Sequence, residues 1–409
     1  MNKVKKALCR AYQQAFHAAT PALPYREPQV LSSVRAIGGL ITSIKNKNAF
    51  IVTGPTLHRL GALSVLEASL QKNDINYTIY DKTCSNPTIF NVEEARELYV
   101  NNDCDVIIAF GGGSVIDCAK AVGARVAYPK KSLSELKGLL KIKRPIPTLI
   151  AIPTTAGSGS EATLTAVITD QEKKHKYTIN SFPLIPKYAV LDTEVTLSLP
   201  AELTATTGMD ALTHAVEAYI GNSTSKKTRA LALEAIKLIY NNLYEAYVNG
   251  SNREARGNML RASYLAGCAF TQSYVGYVHA ISHTLGGNYG ISHGLANAVI
   301  LPFVLEAYGE SVYKKLHELG IAAGVAAAED NVKCGAKKFI RSIWAMNKKL
   351  GIPCGIKGIK QEDIPEMARI AAKEANPLYP VPKIMDAEDL ECFYFKIMDK
   401  NDRMSIACS

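Results

Sequence analysis

A chain of 409 residues is long enough for two domains and a large buried core. Its 47% hydrophobic and 21% charged residues describe an ordinary globular protein, and no run of about 18 apolar residues reads as a membrane span. The formal charge of +10 invites a nucleic-acid reading, but the basic residues stand in short scattered groups (Lys3/Lys5/Lys6, Lys130/Lys131, Lys141/Lys143/Arg144, Lys173/Lys174/Lys176, Lys337/Lys338) without an aromatic platform, which argues against nucleic acid as a partner.

Residues 1–28 form a basic extension with no acid before Glu27. KKALCRAYQQAFHAA has helical periodicity, and Pro21, Pro24 and Pro28 break the helix. A helix packed on the domain or on a neighbouring subunit is the preferred reading. A transit peptide or a membrane-surface helix is the alternative. Nine cysteines without a CxxC or a regular framework point to a reducing, cytoplasmic compartment.

From residue 48 the pattern alternates. NAFIVTG is a buried strand, LHRLGALSVLEASLQKN a helix, INYTIYD a strand, VEEARELYVNND a helix and DVIIAF a strand. GGGSVIDCAKAVGARVA then turns into a helix, and TLIAIP is another buried strand. Short connections between alternating strands and helices imply a parallel sheet with crossovers. AVITD, KYTIN and YAVLD read as a hairpin and an edge strand. After Pro200, helical periodicity takes over at 202–221, 226–248, 252–275, 296–308 and 311–328. The expected organisation is an α/β domain over 29–198, Rossmann-like with a parallel sheet, followed by an all-helical domain over 199–409.

Two loops leave the carboxyl ends of strands, where ligands of open α/β sheets bind. Gly111, Gly112 and Gly113 let the backbone turn tightly and approach a ligand, and the helix that follows offers unpaired N–H groups to an anion. Ser114 adds a hydroxyl donor or caps the helix. The order is neither GxGxxG nor GxxxxGKS, which disfavours a plain dinucleotide fingerprint and a P-loop kinase. Thr154, Thr155 and Ser158 belong to a second loop, TTAGSGSE, rich in hydroxyls. Ser158 with Glu161 also fits a helix-capping box.

Asp210 and His214 are four apart in a helical run, as are His279 and His283, so each pair shares a helix face. A glycine-rich turn (Gly286, Gly287, Gly290) leads to His293 and brings it back over the others. A carboxylate with imidazoles suits Zn(II) or Fe(II), and coordination by Asp210, His214, His279 and His293 is one solution.

GGGSVID, AIPTTAGSGSE, GMDALTHAVEAYI and HAISHTLGGNYGISHGLANAVILP, in that order, resemble the iron-dependent (group III) alcohol dehydrogenase family from about residue 26 onward, including NPLYPVPK. The resemblance implies an α/β dinucleotide-binding domain, a helical metal-binding domain and an active site in the cleft between them. It implies Asp210, His214, His279 and His293 as metal ligands, for Fe2+ first and Zn2+ second. His283 would stand beside them as a proton relay. Asn86, Gly112, Gly113, Ser114, Thr154, Thr155, Ser158 and Lys176 would fall along the NAD(P)(H) cofactor, and a homodimer or higher homo-oligomer is expected.

Three positions depart from the family pattern. Members that prefer NAD often carry an Asp after the first strand, and Gly54 of VTG stands there, removing a carboxylate that would repel a 2′-phosphate. NADP(H) is therefore expected to be accepted or preferred. Ser292 replaces a frequent Pro before the last ligand, and VRAIGGL replaces the usual first turn. The expected activity is an alcohol dehydrogenase or aldehyde reductase acting on a short primary alcohol, a diol or the matching aldehyde. Phe270, Tyr274 and Tyr277 either line its pocket or pack the core. The alternatives are a glycerol dehydrogenase-like or dehydroquinate synthase-like enzyme on the same scaffold, and a non-catalytic metal- or nucleotide-binding subunit.

Overall fold

The computed structural model describes residues 3–19, 23–172 and 175–399; Pro21, Lys173 and Lys174, named above, lie outside the described residues. The chain divides into two compact units. One comprises Pro24–Leu199 with Ser251–Gly267, and the other Met1–Leu23, Pro200–Gly250 and Cys268–Ser409.

The N-terminal basic run forms helix α1 (Lys3–Ala19), which belongs to the second unit. The first unit opens with β1 (Gln29–Leu31), α2 (Ile37–Ser43), β2 (Asn48–Val52), α3 (Pro55–Arg59), α4 (Ser64–Gln71) and β3 (Asn76–Tyr80). It continues with α5 (Ile89–Asn101), β4 (Val106–Gly111), α6 (Gly113–Ala127), α7 (Leu133–Leu136), β5 (Gly138–Leu139) and β6 (Thr148–Pro153). A hairpin of β7 (Thr165–Asp170) and β8 (His175–Asn180) precedes β9 (Tyr188–Val190).

Six strands form one parallel sheet in the order β1-β9-β6-β4-β2-β3. Its central strands are continuous apolar runs because both faces are covered. Phe50, Val52, Ile107 and Ala109 pack toward Val92 of α5 and Ile116 of α6, while Ala49, Ile51, Ile108 and Ile150 pack toward Ile37 of α2 and Leu66 of α4.

Three expectations for the first unit are corrected. The helix expected over 57–73 is two, α3 and α4, because Gly61 takes a positive φ of 66° that ends the first. YAVLD is not an edge strand: β9 lies between β6 and β1, and the edge is β1, whose three residues are too few to show a pattern. Ser158 and Glu161 do not form a capping box. Gly159 occupies the cap of a 3-10 turn over Ser160–Ala162, and Glu161 is buried. The expected hairpin does form, with β7 and β8 antiparallel from Thr165↔Asn180 to Asp170↔His175.

The second unit is helical: α8 (Ala201–Ile220), α9 (Lys226–Val248), the end of α10 (Arg253–Ser273), α11 (Tyr277–Tyr289), α12 (His293–Tyr308), α13 (Tyr313–Ala322), α14 (Val332–Lys349), α15 (Ile364–Ala375) and α16 (Ala387–Ile397). Gly286 and Gly287 lie inside α11 rather than in a turn. The reversal falls on Gly290 alone, whose φ of 67° closes the helix before His293 opens α12.

Candidate active site

Three helices of the second unit converge on one point. Asp210 and His214 share a face of α8, His279 lies in the first turn of α11, and His293 is the first residue of α12. One ligand atom from each lies within 4.8 Å of the other three. Asp210, His214 and His279 are buried; the His293 side chain is 37% exposed, the most open of the four.

The surrounding hydrogen bonds orient these donors. Glu217, one turn beyond His214 on α8, is buried and accepts N–H bonds from Gly276 (2.7 Å) and Val278 (2.9 Å). Its carboxylate also holds His279 Nδ1 at 2.6 Å, which places the proton on Nδ1 and leaves Nε2 as a lone pair. His293 repeats the arrangement: Nδ1 lies 3.0 Å from Ser282 Oγ, whose hydroxyl donates to the His293 carbonyl at 3.3 Å. Burial, followed by the neighbouring imidazoles His214, His293 and His283, holds His279 well below the ordinary histidine range, so it is a neutral donor. Burial pushes Glu217 up to about 7, against the N–H groups that favour its charged form.

The Asn297 amide tests whether the donors fit a cation. Its Nδ2 lies 2.7 Å from Asp210 Oδ1 and 3.2 Å from both His279 Nε2 and His293 Nε2. Three acceptors from three helices thus face a single electropositive group, an environment that favours positive charge. One carboxylate with neutral imidazoles is a donor set suited to Fe(II) or Zn(II).

His283, one turn along α11, is not in this set. Its ring stacks on His293 at 5.2 Å, and its Nδ1 lies 2.7 Å from Glu374 Oε1 at the end of α15. The Tyr379 hydroxyl donates to the same oxygen at 2.7 Å. Burial alone would raise the Glu374 carboxyl, but His283 opposite it and the two hydrogen bonds outweigh burial and hold it below the ordinary range.

Of the three aromatics, Phe270 stacks on the His214 ring at 4.2 Å. Tyr277 is fully buried and donates its hydroxyl to Asn376 and Met385, which makes it core. Tyr274 packs against Tyr379, with ring centres 6.4 Å apart.

In the first unit the two polar loops abut. Gly111 pairs with Pro153, and Thr154 N donates to Gly111 O at 3.1 Å. A Cβ on Gly113 would lie 2.6 Å from Ser158 Oγ and 2.8 Å from Ser158 Cβ, so glycine permits this approach, and one on Gly112 would make a tight contact of 3.2 Å with Thr155 Oγ1. Gly112 caps α6, and the Ser114 hydroxyl is spent on Ser85 O at 2.5 Å, next to Asn86. Gly54 lies past the end of β2, beside β4. Lys176 pairs with Thr169, whose N–H donates to Pro87 O; this register brings β8 toward the Asn86 loop. Gly54, Gly111–Gly113 and Thr154–Thr155 thus lie at or just past the carboxyl ends of β2, β4 and β6, neighbouring strands of the six-stranded sheet, and Lys176 lies on β8 of the smaller sheet.

Glu217, Ser282, Asn297, Glu374 and Tyr379 escaped the sequence reading. Glu217 and Asn297 had a signal, one helical turn from a ligand. Glu374 had none, since 91 residues separate it from His283.

Comparison with known proteins identifies the frame. Residues 29–193 match the family of iron-containing alcohol dehydrogenases, and residues 204–398 match its C-terminal domain. The chain belongs to the iron-containing alcohol dehydrogenase family. It is 37% identical to the 1,3-propanediol dehydrogenase of Klebsiella pneumoniae over 349 residues, covering 84% of this chain and 90% of the relative. It is 35% identical to the NAD-dependent methanol dehydrogenase of Bacillus methanolicus over 344 residues, covering 84% and 90%. A crystal structure of 1,3-propanediol oxidoreductase superposes with a TM-score of 0.87 at 34% identity, covering 91% of this chain and 99% of that one. The chain is a metal- and nicotinamide-dependent alcohol dehydrogenase, and the glycerol dehydrogenase-like, dehydroquinate synthase-like and non-catalytic readings are not favoured. Among the described residues, no helix is long and apolar enough to cross a membrane.

Proposed function

We propose that Asp210, His214, His279 and His293 hold one divalent ion, Fe(II) in preference to Zn(II), and that the enzyme interconverts short primary alcohols or diols with their aldehydes. The observation that carries this reading is the Asn297 amide, on which Asp210, His279 and His293 converge. When bound, the ion supplies Lewis acidity to the substrate oxygen and the nicotinamide carries the hydride.

The protein's own residues do the rest. Glu217 and Ser282 keep the Nδ1 protons in place, so that Nε2 of His279 and His293 stays available. Phe270 gives the site an apolar wall beside His214. His283 carries the proton of the substrate hydroxyl to or from solvent, with Glu374 holding its Nδ1. In the α/β unit, a dinucleotide-binding domain on this reading, the N–H groups of Gly112 and Gly113 at the start of α6 receive the pyrophosphate. Gly111, Asn86, Ser114, Thr154, Thr155, Ser158 and Lys176 line the cofactor, and Gly54 leaves room for the 2′-phosphate of NADP(H). The enzyme works in the cytoplasm as a homodimer or larger homo-oligomer.

The test is to load the apoprotein anaerobically with Fe(II) or Zn(II) and assay a panel of short aldehydes with NADH and NADPH. Metal-dependent oxidation of the reduced cofactor is expected. No turnover with any aldehyde, despite bound metal and cofactor, would favour a non-catalytic protein.

A further inference from the structure

Helix α1 lies ahead of residue 29, where the family match begins. Its orientation is unusual for an amphipathic helix. Val4 and Leu8 are 67% and 65% exposed, whereas Gln13 is 4% exposed. Among the described side chains of this helix, the one that is buried is polar, and the polar face is the one that docks.

That face meets a single loop. Arg10 spreads its guanidinium over two adjacent carbonyls, Nη1 to Val381 O and Nη2 to Pro382 O, both at 2.6 Å. Nη1 also bonds Gln13 Oε1 at 2.8 Å, and Gln13 Nε2 donates to Tyr379 O at 2.7 Å. The loop needs outside donors. Pro377, Pro380 and Pro382 have no N–H, and the Val381 N–H serves only Tyr379 O, at 2.8 Å, so Pro380 O, Val381 O and Pro382 O take their donors from outside the loop. Asn222 supplies two further donors, to Pro380 O and Val381 O.

The same loop reaches the active site by two routes. Tyr379 donates its hydroxyl to Glu374, which holds His283. Pro380, Val381 and Pro382 line a narrow crevice with Glu217 and Gly276, the pair behind His279.

We propose that α1 is an internal strap. Arg10 and Gln13 are positioning residues: they fix the 379–382 loop, and through Tyr379 and Glu374 they hold His283 in its working orientation. The second half of this statement rests on the role given to His283 above; the first half does not.

The test compares the full-length enzyme with Arg10→Ala, Gln13→Ala and the double variant, with exposed Gln14→Ala as control, each loaded with metal. Amide hydrogen exchange at Tyr379 and Val381 reads the strap directly and should speed up by about tenfold in the double variant. Metal content should be unchanged. kcat should fall by about fivefold with KM for aldehyde held within about twofold, and Arg10→Lys, which can serve only one carbonyl well, should fall between. In a His283→Ala background the loss in kcat should vanish, while the faster exchange remains. Unchanged exchange overturns the strap. Faster exchange with unaltered kcat, or a loss of kcat that persists without His283, overturns the route to turnover. If His283→Ala alone has wild-type kcat, the relay reading fails while exchange still decides the strap.

Discussion

Glu217→Gln removes the carboxylate behind His279 without changing its shape. One Glu217 oxygen accepts from Gly276 N and His279 Nδ1, at 2.7 and 2.6 Å, and the other from Val278 N at 2.9 Å. A glutamine that keeps its oxygen on the first pair turns an NH2 group onto the Val278 N–H; the flipped amide loses two bonds instead. The milder case orphans one buried donor, at about 1–3 kcal/mol. It also replaces a charged partner of His279 with a neutral one, so Nδ1 holds its proton less firmly. Loss of such a carboxylate behind a ligand costs about 10–100-fold in metal affinity, or about 1.4–2.7 kcal/mol. Anaerobic competition of Fe(II) or Zn(II) between the folded variant and a chromophoric chelator measures it. Wild-type affinity in a variant of normal thermal stability would refute the reasoning.

Three further outcomes are expected. Gly54→Asp fits without strain, since φ is −101° and a Cβ meets only Thr83 O at 3.4 Å. It should move the NADPH-to-NADH ratio of kcat/KM toward NADH by about tenfold or more, and an unaltered ratio, or a wild type that uses NADH alone, would contradict the role of Gly54. His283→Ala should lower turnover while retaining metal; loss of the metal would make His283 a ligand. Glu161 is fully buried, and burial raises its carboxyl to about 7, outweighing a backbone N–H and Lys120. Its folded form therefore keeps the proton longer than the unfolded chain does. The stability it contributes is complete below about pH 4.5 and is lost as pH rises through about 7, a change of at most about 3 kcal/mol. Thermal melts of wild type should fall relative to Glu161→Gln over that window, and parallel curves would show that Glu161 titrates normally.

Much of this molecule is legible in its sequence because its signals are local. Buried parallel strands are continuous apolar runs, as in DVIIAF, and the four candidate ligands sit at helical spacings or beside a glycine turn. What was not legible depends on distant partners or on which of several glycines bends the chain. Gly286 and Gly287 read as a turn, yet both continue α11, and only Gly290 takes the left-handed conformation. Ser158 and Glu161 have capping-box spacing, but the loop closes on Gly159 instead, and the buried Lys120 bonds Ser160, Thr163 and Thr165 to hold it. Glu374, and with it Tyr379, comes to lie at His283 only because α15 packs against α11. Helical periodicity revealed α1, but nothing in it indicated that the polar face would dock.

The central claim is that four side chains from three helices make one metal site. Metal analysis of anaerobically purified protein, beside Asp210→Ala, His214→Ala, His279→Ala and His293→Ala, tests it most directly. One divalent ion per chain in the wild type, lost or severely weakened in each variant, is the predicted result. A full complement of metal in Asp210→Ala and His279→Ala would contradict it.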